Sequence, residues 1–243
     1  MAADSEDIFW RAIRKLGRLV ELDEADRQAV RNLDARIATV AANDLLVVDG
    51  DTPAYCCLLI DGYACRHKET SGGGRQILSF HLAGDLLGVQ HALLPRADHN
   101  VQTISPATIA RVSVAALRAL VAERPRVAEA LWRDTLIEGS IFREWVLNVG
   151  RRDAMARIAH MLCEFAARRE AAGFGSPERF ELPMTQEQIG DATGLTSVHV
   201  NRKLHELAAR GVIARDRRHV HIVEWPGLKQ IADFDARYLH AAA

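Results

Sequence analysis

Residues 185–204, Thr-Gln-Glu-Gln-Ile-Gly-Asp-Ala-Thr-Gly-Leu-Thr-Ser-Val-His-Val-Asn-Arg-Lys-Leu, restrict the fold more than any other stretch of the chain. Thr185 followed by Gln188 has the spacing of a capping box, in which each side chain satisfies a backbone amide of the other at a helix start. Gly194 suits the end of that helix, because glycine enters the left-handed region without steric cost. Thr196 then caps a second helix whose Val200, Leu204 and Leu207 recur at helical spacing and must face a core. Two short helices joined by a tight turn make a helix-turn-helix. The second helix turns His199, Asn201, Arg202, Lys203 and His205 outward. These hydrogen-bonding, largely cationic groups suit the base edges and phosphates of a DNA major groove.

The same pattern also occurs in helical hairpins of enzymes and structural bundles, so the residues downstream of it carry weight. Residues 211–214 and 219–223 read as two short strands around the basic tip Arg215-Asp216-Arg217-Arg218. That predicts a winged helix-turn-helix whose three tip arginines, Arg215, Arg217 and Arg218, neutralise phosphates without reading sequence.

The net charge of the 243 residues is only −1 and 49% of them are hydrophobic, so the chain can bury a sizeable core but is no basic nucleic-acid coat. Between 185 and 224, six basic residues face five acidic ones, a net of +1, with the acids mostly on the first helix and the cations on the second helix and wing. Affinity for DNA must therefore come from placement. The sequence lacks a run of about eighteen apolar residues, and Asp4, Glu6 and Asp7 are unlike the start of a signal peptide, so the expectation is a cytoplasmic protein without membrane contact. Cys56, Cys57, Cys65 and Cys163 have no paired spacing for zinc or a disulfide framework. Cys56 and Cys57, adjacent on a strand, point to opposite faces and are poorly placed to share a metal.

Residues 6–33 show helical periodicity in two pieces, with Ile8, Phe9, Ile13 and Leu16 on one stripe. From 36 to 114 the texture changes to short apolar runs at 45–48, 56–60, 76–80 and 107–112, separated by turns such as Asp49-Gly50-Asp51 and Ser71-Gly72-Gly73-Gly74. Strands at this density predict a small β-sandwich or roll. A helical region begins near Ser113, breaks at Pro125, and then runs from 126 to 149 without a second proline. Val127, Leu131, Thr135, Glu138, Phe142, Trp145 and Val149 form one stripe of that helix, and Ala130, Ile137, Ile141 and Asn148 an adjacent one. Two buried faces suggest that one packs on the β domain and the other on a twin helix, although one chain could cover both. Asp153 suits the cap of a further helix over 154–170, which makes residues 151–153 a hinge. The expected fold is α+β, with a sensing β domain over 1–124, a dimerisation helix over 125–150 and a winged helix-turn-helix over 151–243.

This order resembles the Crp/Fnr family, the bacterial transcription regulators related to the cyclic-AMP receptor protein and the fumarate-nitrate reduction regulator. The specific pieces are Leu59-Ile60-Asp61-Gly62-Tyr63-Ala64, Arg75-Gln76-Ile77-Leu78-Ser79-Phe80, the corner Gly84-Asp85-Leu86-Leu87-Gly88, Arg157-Ile158-Ala159, and Gln188-Ile189-Gly190 through Gly194 to Asn201-Arg202. The resemblance implies a cyclic-nucleotide-binding-like jelly-roll, and a homodimer that places one recognition helix in each half of a near-palindromic operator. It implies base reading at Ser197, Val198 and Arg202. Only the arginine matches the receptor protein there, so the operator should differ. His199 and Asn201 add polar contacts to bases or phosphates, Thr196 and His205 stand where backbone contacts fall, and Thr185 is a further DNA-binding candidate. RNA polymerase is a possible further partner.

The family's cyclic-nucleotide cassette asks for a Glu after Gly88 and an Arg-Ser or Arg-Ala pair further on. Here the first position is Val89. The second aligns with Ala97-Asp98, next to Arg96, and Asp98 would set a carboxylate beside a phosphate. The expected effector pocket (Gly84, Asp85, Gly88, Val89, Arg96 and Asp98) therefore takes an unidentified small molecule other than a cyclic nucleotide. An iron-sulfur cluster is not expected either, because the first cysteine is Cys56. Haem stays open: Cys65 and His67 share a strand face, and His81, His91 and His99 lie in the same region, although histidines of this kind are more often surface or hydrogen-bonded residues. No cofactor is otherwise expected. A metal-dependent β-sandwich enzyme and a constitutive repressor without an effector are the remaining alternatives, the former lacking a full ligand set. The expected function is that of a DNA-binding regulator, not an enzyme.

Overall fold

The computed structural model describes residues 7–217 and 219–240. They divide into two compact units, one of residues up to 68 with 80–138, the other of 69–79 with 139–240.

The first unit opens with α1 (Trp10–Leu19) and α2 (Glu24–Arg31), the latter started by a capping box between Asp23 and Asp26. The strands β1 (Ala35–Val40), β2 (Leu45–Val47), β3 (Tyr55–Asp61), β4 (Ala64–Glu69), β5 (Arg75–His81), β6 (Leu86–Leu87), β7 (Asn100–Thr103) and β8 (Ala107–Ser113) then form two four-stranded sheets. Their orders are β1-β8-β3-β6 and β2-β7-β4-β5. The sequence pattern foretells β2, β3, β5 and β8. β1, β6 and β7 are short or mixed in polarity and escape it.

β3 explains how the roll coheres. It pairs antiparallel with β8, Cys56 opposite Val112 and Leu58 opposite Ala110, and is buried on both faces. Because side chains alternate along a strand, Cys56 and Leu58 join Phe9, Leu16, Val30 and Leu117 in a core under the helices. Cys57 and Leu59 join Val47, Leu87, Val101 and Ile109 between the sheets. The expected opposite orientation of the two cysteines is what separates these cores.

Ser113 caps α3 (Val114–Glu123), whose end precedes Pro125 because the residue before a proline disfavours the helical region. Pro125 opens α4 (Pro125–Arg151), 27 residues long, where the missing amide costs nothing. Val127, Ala130 and Leu131 enter the core under the helices. Lys15 ties α1 to Asp85 at 2.9 Å and to Asp134 of α4 at 2.8 Å, and Arg66 reaches Glu138 at 3.2 Å.

The uncovered apolar face of α4 is not one of the two expected stripes. Trp132, Leu136, Val146 and Leu147 are exposed, at 69%, 58%, 74% and 44%. Of the expected positions, Val127, Leu131, Ile141, Trp145 and Asn148 are buried, whereas Thr135 is exposed. Periodicity identifies apolar faces of a helix but not which of them its own chain covers.

In the second unit α5 (Ala154–Ala171) is the central element, with Ile158, Ala159, Leu162 and Cys163 fully buried. Around it lie β9 (Arg179–Glu181), α6 (Gln186–Thr193), α7 (Ser197–Ala209), β10 (Ile213–Asp216), β11 (His219–Ile222) and α8 (Trp225–Ala232), followed by a single 3-10 turn, Ala236–Leu239. The wing has three strands, in the order β10-β11-β9, rather than the expected two. Within this unit Arg75 donates to Asp191 at 2.7 Å and Gln76 to the Ala192 carbonyl at 3.2 Å. Among the described residues no helix is long and apolar enough to cross a membrane.

Candidate nucleic-acid interface

Local chemistry builds the helix pair as the residue spacing predicts. The Thr185 hydroxyl accepts from the Gln188 amide at 3.1 Å while the Gln188 side chain accepts from the Thr185 amide at 2.9 Å, a reciprocal cap. Gly194 turns the chain with φ of 69°, in the left-handed region. Thr196 then accepts from the His199 amide at 3.3 Å and starts α7. Val200, Leu204 and Leu207 are fully buried, which fixes the rotation of α7 about its axis.

That rotation decides which side chains are on offer. Thr185, Thr196, Ser197, Val198, Arg202 and His205 are exposed, and His199 and Asn201 are half-buried on the two flanks. Val198 is 78% exposed, so its methyl groups are open to a partner on this face. The Arg202 guanidinium lies 3.9 Å from Glu206, which is too long to hold it, whereas Lys203 is tied to Glu206 at 2.7 Å. The hydrogen bond and charge of Lys203 pull the Glu206 carboxyl below its usual range, so that acid is ionised beside the cationic face. Arg202 is thereby the more available cation of the two.

On one flank of α7 an open groove of about 580 Å³ runs between His199, Lys203 and Arg210 on α7, Asp153 and Met155 at the start of α5, and Ile231 of α8. On the wing, Arg217 is exposed with φ of 53°. Arg215 lies within β10 and is half-buried, so it does not belong to the tip as expected. Arg218 lies outside the described residues. Residues 197, 198, 202 and 205 thus share one helix face, with Arg217 on the wing of the same unit.

The hinge is shorter than expected: α4 ends at Arg151 and α5 begins at Ala154. Asp153 caps α5 by accepting from the amides of Met155 and Ala156, both at 2.9 Å. Arg157, the first residue of the Arg157-Ile158-Ala159 motif, donates to the Arg152 carbonyl at 2.8 Å and to the Thr193 carbonyl at 3.2 Å. It therefore joins the hinge to the end of α6, a role that no spacing rule in the sequence reveals.

The residues expected to line an effector pocket lie apart in their engagements. Gly84 and Gly88 turn the corner with φ of 101° and 85°. Asp85 is buried and held by Lys15 and by the Leu82 amide. Val89 packs against the core under the helices. Arg96 is exposed, and Asp98 is paired with His99 at 2.6 Å. Cys65, His67, His81, His91 and His99 are buried in this unit, and burial lowers the proton affinity of His81, His91 and His99. Among the described residues, no three His, Cys, Asp or Glu side chains are placed to hold a metal ion.

Comparison with known proteins agrees with both halves of the chain. Residues 37–124 match the model of the cyclic nucleotide-binding domain, and residues 156–231 that of the Crp-like helix-turn-helix domain. The transcriptional activator protein FnrL of Cereibacter sphaeroides is 28% identical over 80% of this chain and 79% of its own length. The nitrogen fixation regulation protein FixK of Bradyrhizobium diazoefficiens is 28% identical over 84% of each chain. The solved structure of FixK2 from Bradyrhizobium japonicum superposes with a TM-score of 0.77 at 26% identity, covering 84% of this chain and all of that one. A cyclic-nucleotide-binding-like roll, a long helix and a Crp-like winged helix-turn-helix, in this order, place the chain in the Crp/Fnr family of DNA-binding transcription regulators.

Proposed function

We propose that the chain works as a homodimer that reads a near-palindromic operator and is switched by an effector of its roll. The observation that carries this reading is the uncovered stripe of α4. Trp132, Leu136, Val146 and Leu147 leave one side of a 27-residue helix apolar and exposed, which is costly unless another surface covers it. A second α4 supplies a face of the same chemistry, and a two-fold pair of such helices carries two recognition helices. Ser197, Val198 and Arg202 then address base edges, with Arg202 suited to a bidentate pair with guanine; His199 and Asn201 add polar contacts to bases or phosphates, while Thr196, His205 and Arg217 position the reader on the backbone, with Thr185 at the edge of the same face.

The effector in this reading is a small molecule other than a cyclic nucleotide. Val89 offers no carboxylate for a ribose hydroxyl, Arg96 is exposed, and Asp98 would repel a phosphate. Binding shifts the population between two settings of the hinge at 152–153 and so matches or mismatches the two readers to their half-sites. RNA polymerase is the partner that an activator of this kind would meet at the promoter.

The test is the double variant Trp132→Glu, Val146→Glu, with light scattering for mass and DNA drawn from a random pool for affinity. The expected result is a folded monomer whose operator affinity falls by about 100-fold, the loss of avidity when two linked sites become one. A dimer with unchanged affinity would overturn the reading.

A further inference from the structure

Residues 233–240 follow α8 and do not belong to the winged helix-turn-helix motif, yet their side chains enter the seam between α4 and α5. The chain turns at Asp233, whose φ is 48°. Its carbonyl accepts from the hinge residue Arg152 at 2.9 Å, and the same guanidinium nitrogen reaches Glu144 of α4 at 2.7 Å. Phe234, 9% exposed, meets the His160 ring of α5 edge-on at 5.4 Å, and Tyr238 stacks on that ring at 5.8 Å. The Tyr238 hydroxyl donates to Glu164 of α5 at 2.7 Å, and the same carboxylate oxygen accepts from the Trp145 indole of α4 at 2.9 Å. His160 in turn lies 3.3 Å from Glu144, and His240 lies 3.3 Å from Ser140 of α4.

Three groups of contacts converge on one seam. Glu164 is 2% exposed and is shared by a donor from α4 and a donor from this segment, so the three elements meet at one atom. His160 is fully buried between two aromatic rings of the segment and a carboxylate of α4. Arg152, one of the two residues of the hinge, is held by the segment's backbone. Two helices joined by a two-residue link keep a wide range of mutual angles unless contacts away from the link remove it. Some of these contacts are direct, such as Trp145 to Glu164 and Asn148 to the Arg157 carbonyl. The others run through residues 233–240.

We propose that residues 233–240 act as a clasp that sets the angle between the end of α4 and α5, holding the hinge in one of its settings. Burial of the shared hydrogen bonds at Glu164 makes the clasp cooperative: losing the Tyr238 hydroxyl leaves the buried carboxyl oxygen short of a donor and loosens Trp145 with it. The clasp acts on the hinge and does not depend on which DNA or effector the protein binds.

The test is hydrogen exchange by mass spectrometry on the full chain, the Tyr238→Phe variant and a chain stopped after Ala232. The expected result is exchange at residues 148–158 at least about tenfold faster in the stopped chain and about threefold faster in Tyr238→Phe, with α6 and α7 within about twofold of the parent protein. Unchanged hinge exchange in both variants would overturn the clasp. So would an acceleration of α6 and α7 equal to that of the hinge, which would make the segment a general support of the domain. If the stopped chain does not fold, Tyr238→Phe decides alone, since it keeps the ring stack and removes one hydroxyl.

Discussion

Gly190, in the middle of α6, lies so close to the carbonyl oxygen of Leu195 that a β-carbon at position 190 would overlap it. The neighbour is backbone of the turn that aims the recognition helix, and it cannot retreat without moving α7. Gly190→Ala should therefore cost about 1–3 kcal/mol, the range for overpacking, and lower DNA affinity with it. Gly17 of α1 is the control, exposed in a helix with open space where a β-carbon would stand. Gly17→Ala should stabilise by about 0.5–1 kcal/mol. Thermal melts with equal shifts for the two variants would contradict the steric account.

Arg202 and Arg217 should separate by the kind of DNA they respond to. Arg202→Ala is expected to cost about 1–3 kcal/mol on the selected operator and little on random duplex, as loss of a base contact does. Arg217→Ala should weaken both equally and reduce the slope of log affinity against log salt by about 0.9. Binding isotherms over a salt series on both duplexes check this. Equal losses on the two duplexes for Arg202→Ala would remove it from base reading.

Calorimetric titration with cyclic AMP should give no saturable heat at concentrations up to about 100 µM, because Val89 and Asp98 stand where a carboxylate and a small residue would be needed. A well-formed micromolar isotherm would reverse that part of the proposal.

His160 gives the fold a pH dependence of definite sign. Its ring is fully buried, and burial and then the nearby Arg152 bring its pKa down from 6.5 to about 3. The unfolded chain thus binds a proton below pH 6.5 that the folded chain refuses. Stability is fully present above pH 6.5 and falls as the pH drops from there toward 3. The slope contributed by this ring is about 1.4 kcal/mol per pH unit below 6. Denaturant melts between pH 7 and 5 should show a steep loss in the parent protein and a loss shallower by about one proton in His160→Gln. Identical slopes would mean that the ring charges in place.

Lys15 should be more costly to lose than an ordinary surface lysine. It neutralises both Asp85 and Asp134, whose side chains are only 11% and 13% exposed. Burial already pushes the Asp134 carboxyl upward, against the pull of Lys15. Lys15→Met leaves the two carboxylates facing each other, at a cost of about 2 kcal/mol once the partial exposure of Lys15 is allowed for. Adding Asp134→Asn should restore about half of it, and urea melts of the three proteins test the recovery.

The helix pair was legible because its signals are local. A threonine cap, a Gln three residues on, a glycine stop and a second threonine cap each act within one helical turn, and all four appear as expected in α6 and α7. The same holds for Asp153 at the start of α5. β9 was not legible, since three residues of mixed polarity become a strand only by pairing with β11. Nor was the segment 233–240, whose Phe234 and Tyr238 have no periodic neighbours and find partners on helices more than seventy residues earlier.

The sequence by itself determined the starts of α5, α6 and α7, the positions of β2, β3, β5, β8 and β11, and the outward set on α7. These depend on backbone propensity and residue identity, which travel with the chain. Tertiary structure alone decided which face of α4 stays open, which cations are already committed to a carboxylate, and how the hinge is held. Those outcomes depend on burial and on contacts between distant residues, where the loss of solvent makes a pairing strong or a vacancy costly, and no local pattern carries that information.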